Sequence, residues 1–159
     1  MELRLLYSHT PGSFSKSEWA NSVRNQSNLA IVGTTIDGTT IGGFTGNATI
    51  PAYDATTWIG GSDMFVFNLA LNRSWVPTFS SLNIWINTFN QYADLIDFGY
   101  HSSLQFEGYS GHVFVRYFQD PRLHHNAYDF EGNPDYLAIG LPSEHQHQLI
   151  SFKVYQVHY

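Results

Sequence analysis

The sequence predicts a mainly β domain with a few helices, a two-layer antiparallel β-sandwich flanked by short helices. Three observations carry this expectation. Short runs of β-branched and aromatic residues recur, several with period-two alternation. Turn-forming pairs, led by Asp37-Gly38, separate them. Only one segment, opening at Ser15, has a full helix-start signature, and many strands with one sure helix imply packed sheets with helical decoration.

Leu3 to Tyr7 is the first strand candidate. Ser15-Lys16-Ser17-Glu18 then forms an S-x-x-E capping box, with Phe14 and Trp19 at the hydrophobic-staple positions. Trp19, Ala20 and Val23 give the helix one apolar face to about Asn25. Asn28 to Ile36 and Thr39 to Phe44 follow as strands, and Asp37-Gly38 between them predicts a two-residue type I′ hairpin. Gly42 and Gly43 mark either a bulge or a close approach of another backbone or ring. The glycine-rich segment also resembles a phosphate cradle, but no helix start follows Gly46 and the next basic residue is Arg73, so the hairpin is the better reading.

Ser62 to Leu69 reads as a buried strand. In Leu82 to Asn87, Leu82, Ile84 and Ile86 share one face and Asn83, Trp85 and Asn87 the other. Leu95 to Phe98, Leu104 to Phe106, His112 to Phe118 and Leu149 to Tyr159 complete the strands. The stretches 46–61 and 119–147 read as long loops, where a binding surface is expected. Neither repeat nor linker is visible, so residues 1–159 are expected to form a single domain.

Composition narrows the function classes. Aromatic residues make up 16% of the chain against 13% charged, which suits a sheet packing many rings. A net charge of −6 with only 7 Lys plus Arg argues against nucleic acid or an anionic membrane as partner. With no cysteine, disulfides, thiol catalysis and cysteine-ligated zinc are excluded. No signal-peptide core or stretch of membrane-spanning length is present, so a cytoplasmic protein without membrane insertion is expected. The sequons at Asn25, Asn47 and Asn72 would matter only in a secreted chain.

Histidines cluster as His124-His125 and His145-Gln146-His147, and the i,i+2 pair has a spacing metals use. Glu144 and Asp129 are candidates for a third ligand, but the sequence places none, and the expectation is no metal and no cofactor. Asp97, Glu107 and Glu131 could supply a glycosidase pair, although sequence does not show that any two face each other. No G-x-S-x-G elbow is present.

In order along the chain, Leu5-Leu6-Tyr7-Ser8, Gly12-Ser13-Phe14, Leu29-Ala30-Ile31-Val32, Asp37-Gly38 and Ile41-Gly42-Gly43-Phe44 resemble the start of a TLDc domain. Ser62 to Leu69, Asp129 to Leu137 and Phe152-Lys153-Val154-Tyr155 are similar to later elements of that family: its S-F-L-F-x-L strand, its T-F-x-N-x-x-L element and its terminal L-E-V-W strand. The chain departs from the family at Asn126-Ala127-Tyr128, where a cysteine is frequent, and at Tyr109 to Arg116, a looser version of its glycine-rich strand. The resemblance implies a noncatalytic β-sandwich linked to protection against oxidative stress and to binding and regulating the vacuolar proton-pumping ATPase. The interaction surface expected for such a protein partner is the two charged, histidine-rich loops, with Asp120, Arg122, His124, His125, Glu144, His145 and His147. Binding there is expected to weaken near pH ~6 as the histidines charge. The alternative is a carbohydrate-binding β-sandwich, stacking sugars on Trp58, Trp75 or Trp85.

Overall fold

The computed structural model describes residues 1–60, 62–76, 83–89, 93–99, 102–119, 139–143 and 145–159. The fold is mainly β. Its elements are β1 (Glu2–His9), α1 (Lys16–Val23), β2 (Leu29–Thr35), β3 (Thr40–Phe44), β4 (Thr56–Ile59), β5 (Phe65–Asn68), β6 (Arg73–Trp75), β7 (Ile84–Asn87), β8 (Asp94–Phe98), β9 (Ser102–Tyr109), β10 (His112–Gln119) and β11 (His147–His158).

All pairings are antiparallel, and one hydrogen-bonded path runs β4-β7-β8-β9-β10-β11-β2-β3-β5-β6, with β1 beside β11. The 12-residue β11 links two layers. Its first residues pair with β10, as His147 opposite Val115, and its later ones with β1, from Phe152 opposite His9 to His158 opposite Glu2. A register shift between Leu149 and Ser151, where β11 runs along β2, marks the crossing, since a bulge bends and twists a strand. The first layer is therefore β1-β11-β2-β3-β5-β6 and the second β4-β7-β8-β9-β10.

The layers face each other through large apolar side chains. The Phe106 ring of β9 lies 5.6 Å from that of Phe152 in β11. Ile31, Ile84, Ile86, Phe98 and Val154 are wholly buried between the layers. Burying such side chains contributes roughly 1.5–3 kcal/mol each, which is what holds two sheets together without disulfides.

Gly42 and Gly43 are close-packing positions, with no bulge at either. Both pair in unbroken register with β2 and β5. A Cβ on Gly43 would lie 2.6 Å from the Phe98 ring of the opposite layer, and one on Gly42 would lie 1.9 Å from the Ile31 carbonyl oxygen. The Asp37-Gly38 turn differs from the expected two-residue hairpin. The Gly38 N–H donates to the Thr35 carbonyl and the Thr35 N–H to the Thr39 carbonyl, while only Gly38 of the pair has positive φ, at 91°. This is a three-residue loop closed by a left-handed glycine. Instead, Ser110 (φ 52°) and Gly111 (φ 77°) have the pair of positive φ values that a type I′ hairpin needs, between β9 and β10.

Helix α1 starts where the capping box predicts. The Ser15 hydroxyl accepts from the Glu18 N–H at 3.4 Å, and the Ser15 N–H donates to the Tyr7 hydroxyl of β1. Phe14 packs across Gly108 of β9 and edge-on to Tyr7, while Trp19 is fully buried, so these rings dock α1 against both layers. Two short strands, β4 and β6, fall where the sequence reads as loop or turn. Four and three residues are too few to show a period, and they become strands only through their partners β7 and β5. The same 46–61 stretch buries Ala48, Ile50 and Ala55, so it is partly core. Among the described residues, no helix is long and apolar enough to cross a membrane.

Candidate functional site

The outer face of the second layer gathers most of the described buried charge. Leu104 and Phe106 fill the core, so period two sends Gln105, Glu107 and Tyr109 of β9 to the outside. Asp97 lies opposite Gln105 and Asp94 opposite Glu107 from β8, and Arg116 of β10 lies opposite Gln105. Beyond Asp97 the same row continues through Trp85 of β7 to Trp58 of β4.

A relay of side-chain bonds joins these groups. Gln105 Nε2 donates to Asp97 Oδ2 at 3.2 Å, and its Oε1 accepts from Arg116 Nε at 2.9 Å. Arg116 in turn pairs with Glu107 at 3.2 Å. Gln146, between the two histidines of the last loop, donates to the Glu107 carboxylate and accepts from the Tyr109 hydroxyl at 3.0 Å. Lys16 of α1 closes the rim by donating to the Asp94 carbonyl at 2.9 Å.

Burial dominates the electrostatics. Only 8% of Asp97 is exposed, and its Oδ1 has no hydrogen-bond partner among the described residues. Burial, reinforced by the Asp94 charge, holds its carboxyl well above the usual aspartate range. Burial also raises Glu107, with the Arg116 guanidinium opposing it. Asp97 and Glu107 thus share a face, as a glycosidase pair must, but Gln105 and Arg116 connect them through a bonded relay across adjacent strands. A protonated Asp97 can donate a hydrogen bond or a proton; the ion-paired Glu107 is an acceptor.

Of the loop residues expected to form the interaction surface, Asp120, Arg122, His124, His125 and Glu144 lie outside the described residues, as do Asp129 and Glu131. His145 is exposed, and its N–H donates to the Ser143 hydroxyl at 3.4 Å. His147 is half-buried, with its Nε2 3.1 Å from the Ser143 carbonyl oxygen. Among the described residues, no three His, Asp or Glu side chains are grouped to hold a metal. Trp75 is buried, with Arg73 over its ring at 5.6 Å. Trp58 and Trp85 are half-buried on the outer face, with centroids 5.2 Å apart.

Gln105, Arg116 and Gln146 belong to no catalytic motif in the sequence. The usable signal was the alternation of Leu104-Gln105-Phe106-Glu107, legible once the strand is extended to Tyr109. The outer face of the first layer is of another kind. It holds a groove of about 560 Å³ whose lining includes Leu3, Val32, Phe44, Phe65, Phe67 and Val157. No protein-family model and no curated protein sequence matches the chain.

Proposed function

We propose that the chain is a noncatalytic interaction module of the TLDc type, acting in the cytoplasm by binding and regulating the vacuolar proton-pumping ATPase and so protecting cells against oxidants. What supports this reading is where the family-like segments lie. The first and last are neighbouring strands, with Leu5 opposite Tyr155, and Leu29 to Val32 and Ile41 to Phe44 continue the same layer as β2 and β3. The strand segments that carry the resemblance lie side by side in one layer rather than around a reaction centre, as expected of a scaffold that presents loops to a protein partner, while Asp129 to Leu137 lies outside the described residues. The test is capture of the purified peripheral sector of a vacuolar ATPase by the immobilised chain, with ATP hydrolysis followed as the chain is added. Retention and a changed rate are expected; neither retention nor a rate change removes the proposal. Protection is exerted through the partner, so catalytic peroxide consumption by the purified chain without added metal also overturns it.

A second reading, a carbohydrate-binding β-sandwich, is favoured by one observation. Trp58 and Trp85 stand together on the outer face beside Asp97 and Gln105, a combination of ring surface and polar groups suited to a sugar. Binding on a glycan array that is lost in Trp85→Ala supports it, and an array without signal rules it out.

A further inference from the structure

We infer that β1 is the docking edge for a second copy of this chain, through antiparallel pairing centred on Leu3. Among the described residues β1 pairs with β11 alone, which leaves its other side as an edge of the first layer. The edges at β4 and β6 are four and three residues long and the outer side of β10 is interrupted by its pairing with β11 at Phe114 and Val115, whereas β1 has eight residues. Long exposed edges recruit another strand unless they are blunted or covered. Glu2, Leu3, Arg4 and Leu5 are all exposed, Leu3 by 55% and Leu5 by 52%.

The hydrogen-bond pattern fixes which groups face outward. The Val157 N–H donates to the Asn28 carbonyl, so Val157 directs its backbone groups toward β2 and away from β1. Leu3, opposite Val157, is therefore a non-hydrogen-bonded pair within the layer, and so is Leu5 opposite Tyr155. The N–H and C=O groups of Leu3 and Leu5 point to the free edge. The register shift between Leu5 and Tyr7 ends this flat stretch.

Charge selects the register. A two-fold axis at Leu3 sets Glu2 opposite Arg4 of the second copy, twice, and sets Met1 opposite Leu5. An axis at Arg4 also aligns outward-pointing groups, through Leu3 opposite Leu5, but brings two arginines face to face. Opposite charges directly across strands stabilise a pair and like charges destabilise it, so the Leu3 axis is preferred. Met1, Leu3 and Leu5, all exposed in one copy, become cross-strand neighbours in the pair. Two-fold, self-complementary pairing of this kind closes on itself and gives a dimer.

Sedimentation equilibrium over a dilution series of the full chain tests this. The unsubstituted chain is expected to dimerise reversibly. Leu3→Pro deletes the outward N–H in each copy while leaving the β1–β11 bonds in place, and should weaken the dimer at least about tenfold. Glu2→Arg and Arg4→Glu, each alone, set like charges across the axis and should be monomeric where the parent is dimeric. An equimolar mixture of those two variants should restore the dimer, a result that a folding defect cannot produce. A chain that is monomeric throughout, or a dimer indifferent to Leu3→Pro and to both charge reversals, overturns the inference.

Discussion

The outer face of the first layer is apolar, with Leu3, Val32, Phe44, Phe65 and Phe67 around an open groove, whereas that of the second carries Asp94, Asp97, Glu107 and Arg116 beside two tryptophans. Both lie on the same two-layer core, yet they respond to different variables. The apolar layer depends on close approach, because Gly42 and Gly43 of β3 leave no room for a side chain against backbone or ring. The polar layer depends on protonation, because Asp97 and Glu107 are largely withdrawn from water. The difference teaches that steric change should damage the first layer at any pH, while the second should answer to pH with little change of shape.

The largest effect that could break this contrast is at β3. Gly42→Ala should cost about 3 kcal/mol, because its Cβ meets the Ile31 carbonyl, and Gly43→Ala about 2 kcal/mol, because its Cβ overpacks the core against the Phe98 ring. Urea titration checks both, and unchanged midpoints at several pH values would refute the close-packing account. Next comes Asp97→Asn, with the opposite sign. The folded chain holds the Asp97 proton to higher pH than the unfolded one. Stability from this group is therefore full below the ordinary aspartate range and is lost as pH rises through the raised folded value. The asparagine variant should be more stable by about 1–3 kcal/mol at neutral pH, the scale of one unsatisfied buried polar group, and should lose that advantage in acid. A variant destabilised equally at every pH would show that the carboxylate is needed for packing rather than tolerated by it.

Helix α1 joins the two layers, through Tyr7 on one side and the Asp94 carbonyl on the other. Its cap tests how much that joint matters. Ser15→Ala should cost about 0.5–1 kcal/mol, the lower part of the range for lost N-caps, since the bond to the Glu18 N–H is 3.4 Å long. Calorimetric melting would detect it, and an unaltered melt would mean that burial of Trp19 alone seats the helix. The smallest effect is chemical. Burial lowers the Lys16 amine to about 8, with Asp94 opposing. Its acylation rate, followed by mass spectrometry, should rise with a midpoint near that pH; a midpoint in the ordinary lysine range would place the amine in open water.

Sequence by itself determined the fold class, the helix capped by Ser15 and the two glycines that reject a side chain, because each is a local matter. A period of two, a serine three residues before a glutamate, and paired glycines between β-branched residues carry their meaning within a few positions. Tertiary structure decided the rest. Thr56 to Ile59 and Arg73 to Trp75 are strands only because β7 and β5 offer them partners, and the turn at Asp37 took its length from the strand register. Likewise Asp97 and Glu107 were visible as carboxylates, but their sharing of a face, their burial and their connection through Gln105 and Arg116 depend on pairing across β8, β9 and β10. The exposure of β1 is of the same kind. Its apolar–charged alternation is in the sequence, but that it pairs with β11 alone among the described residues follows from where β11 crosses between the layers. Local patterns are set by nearest neighbours along the chain, whereas burial, charge state and open edges are set by residues far apart in sequence, which only the folded chain brings together.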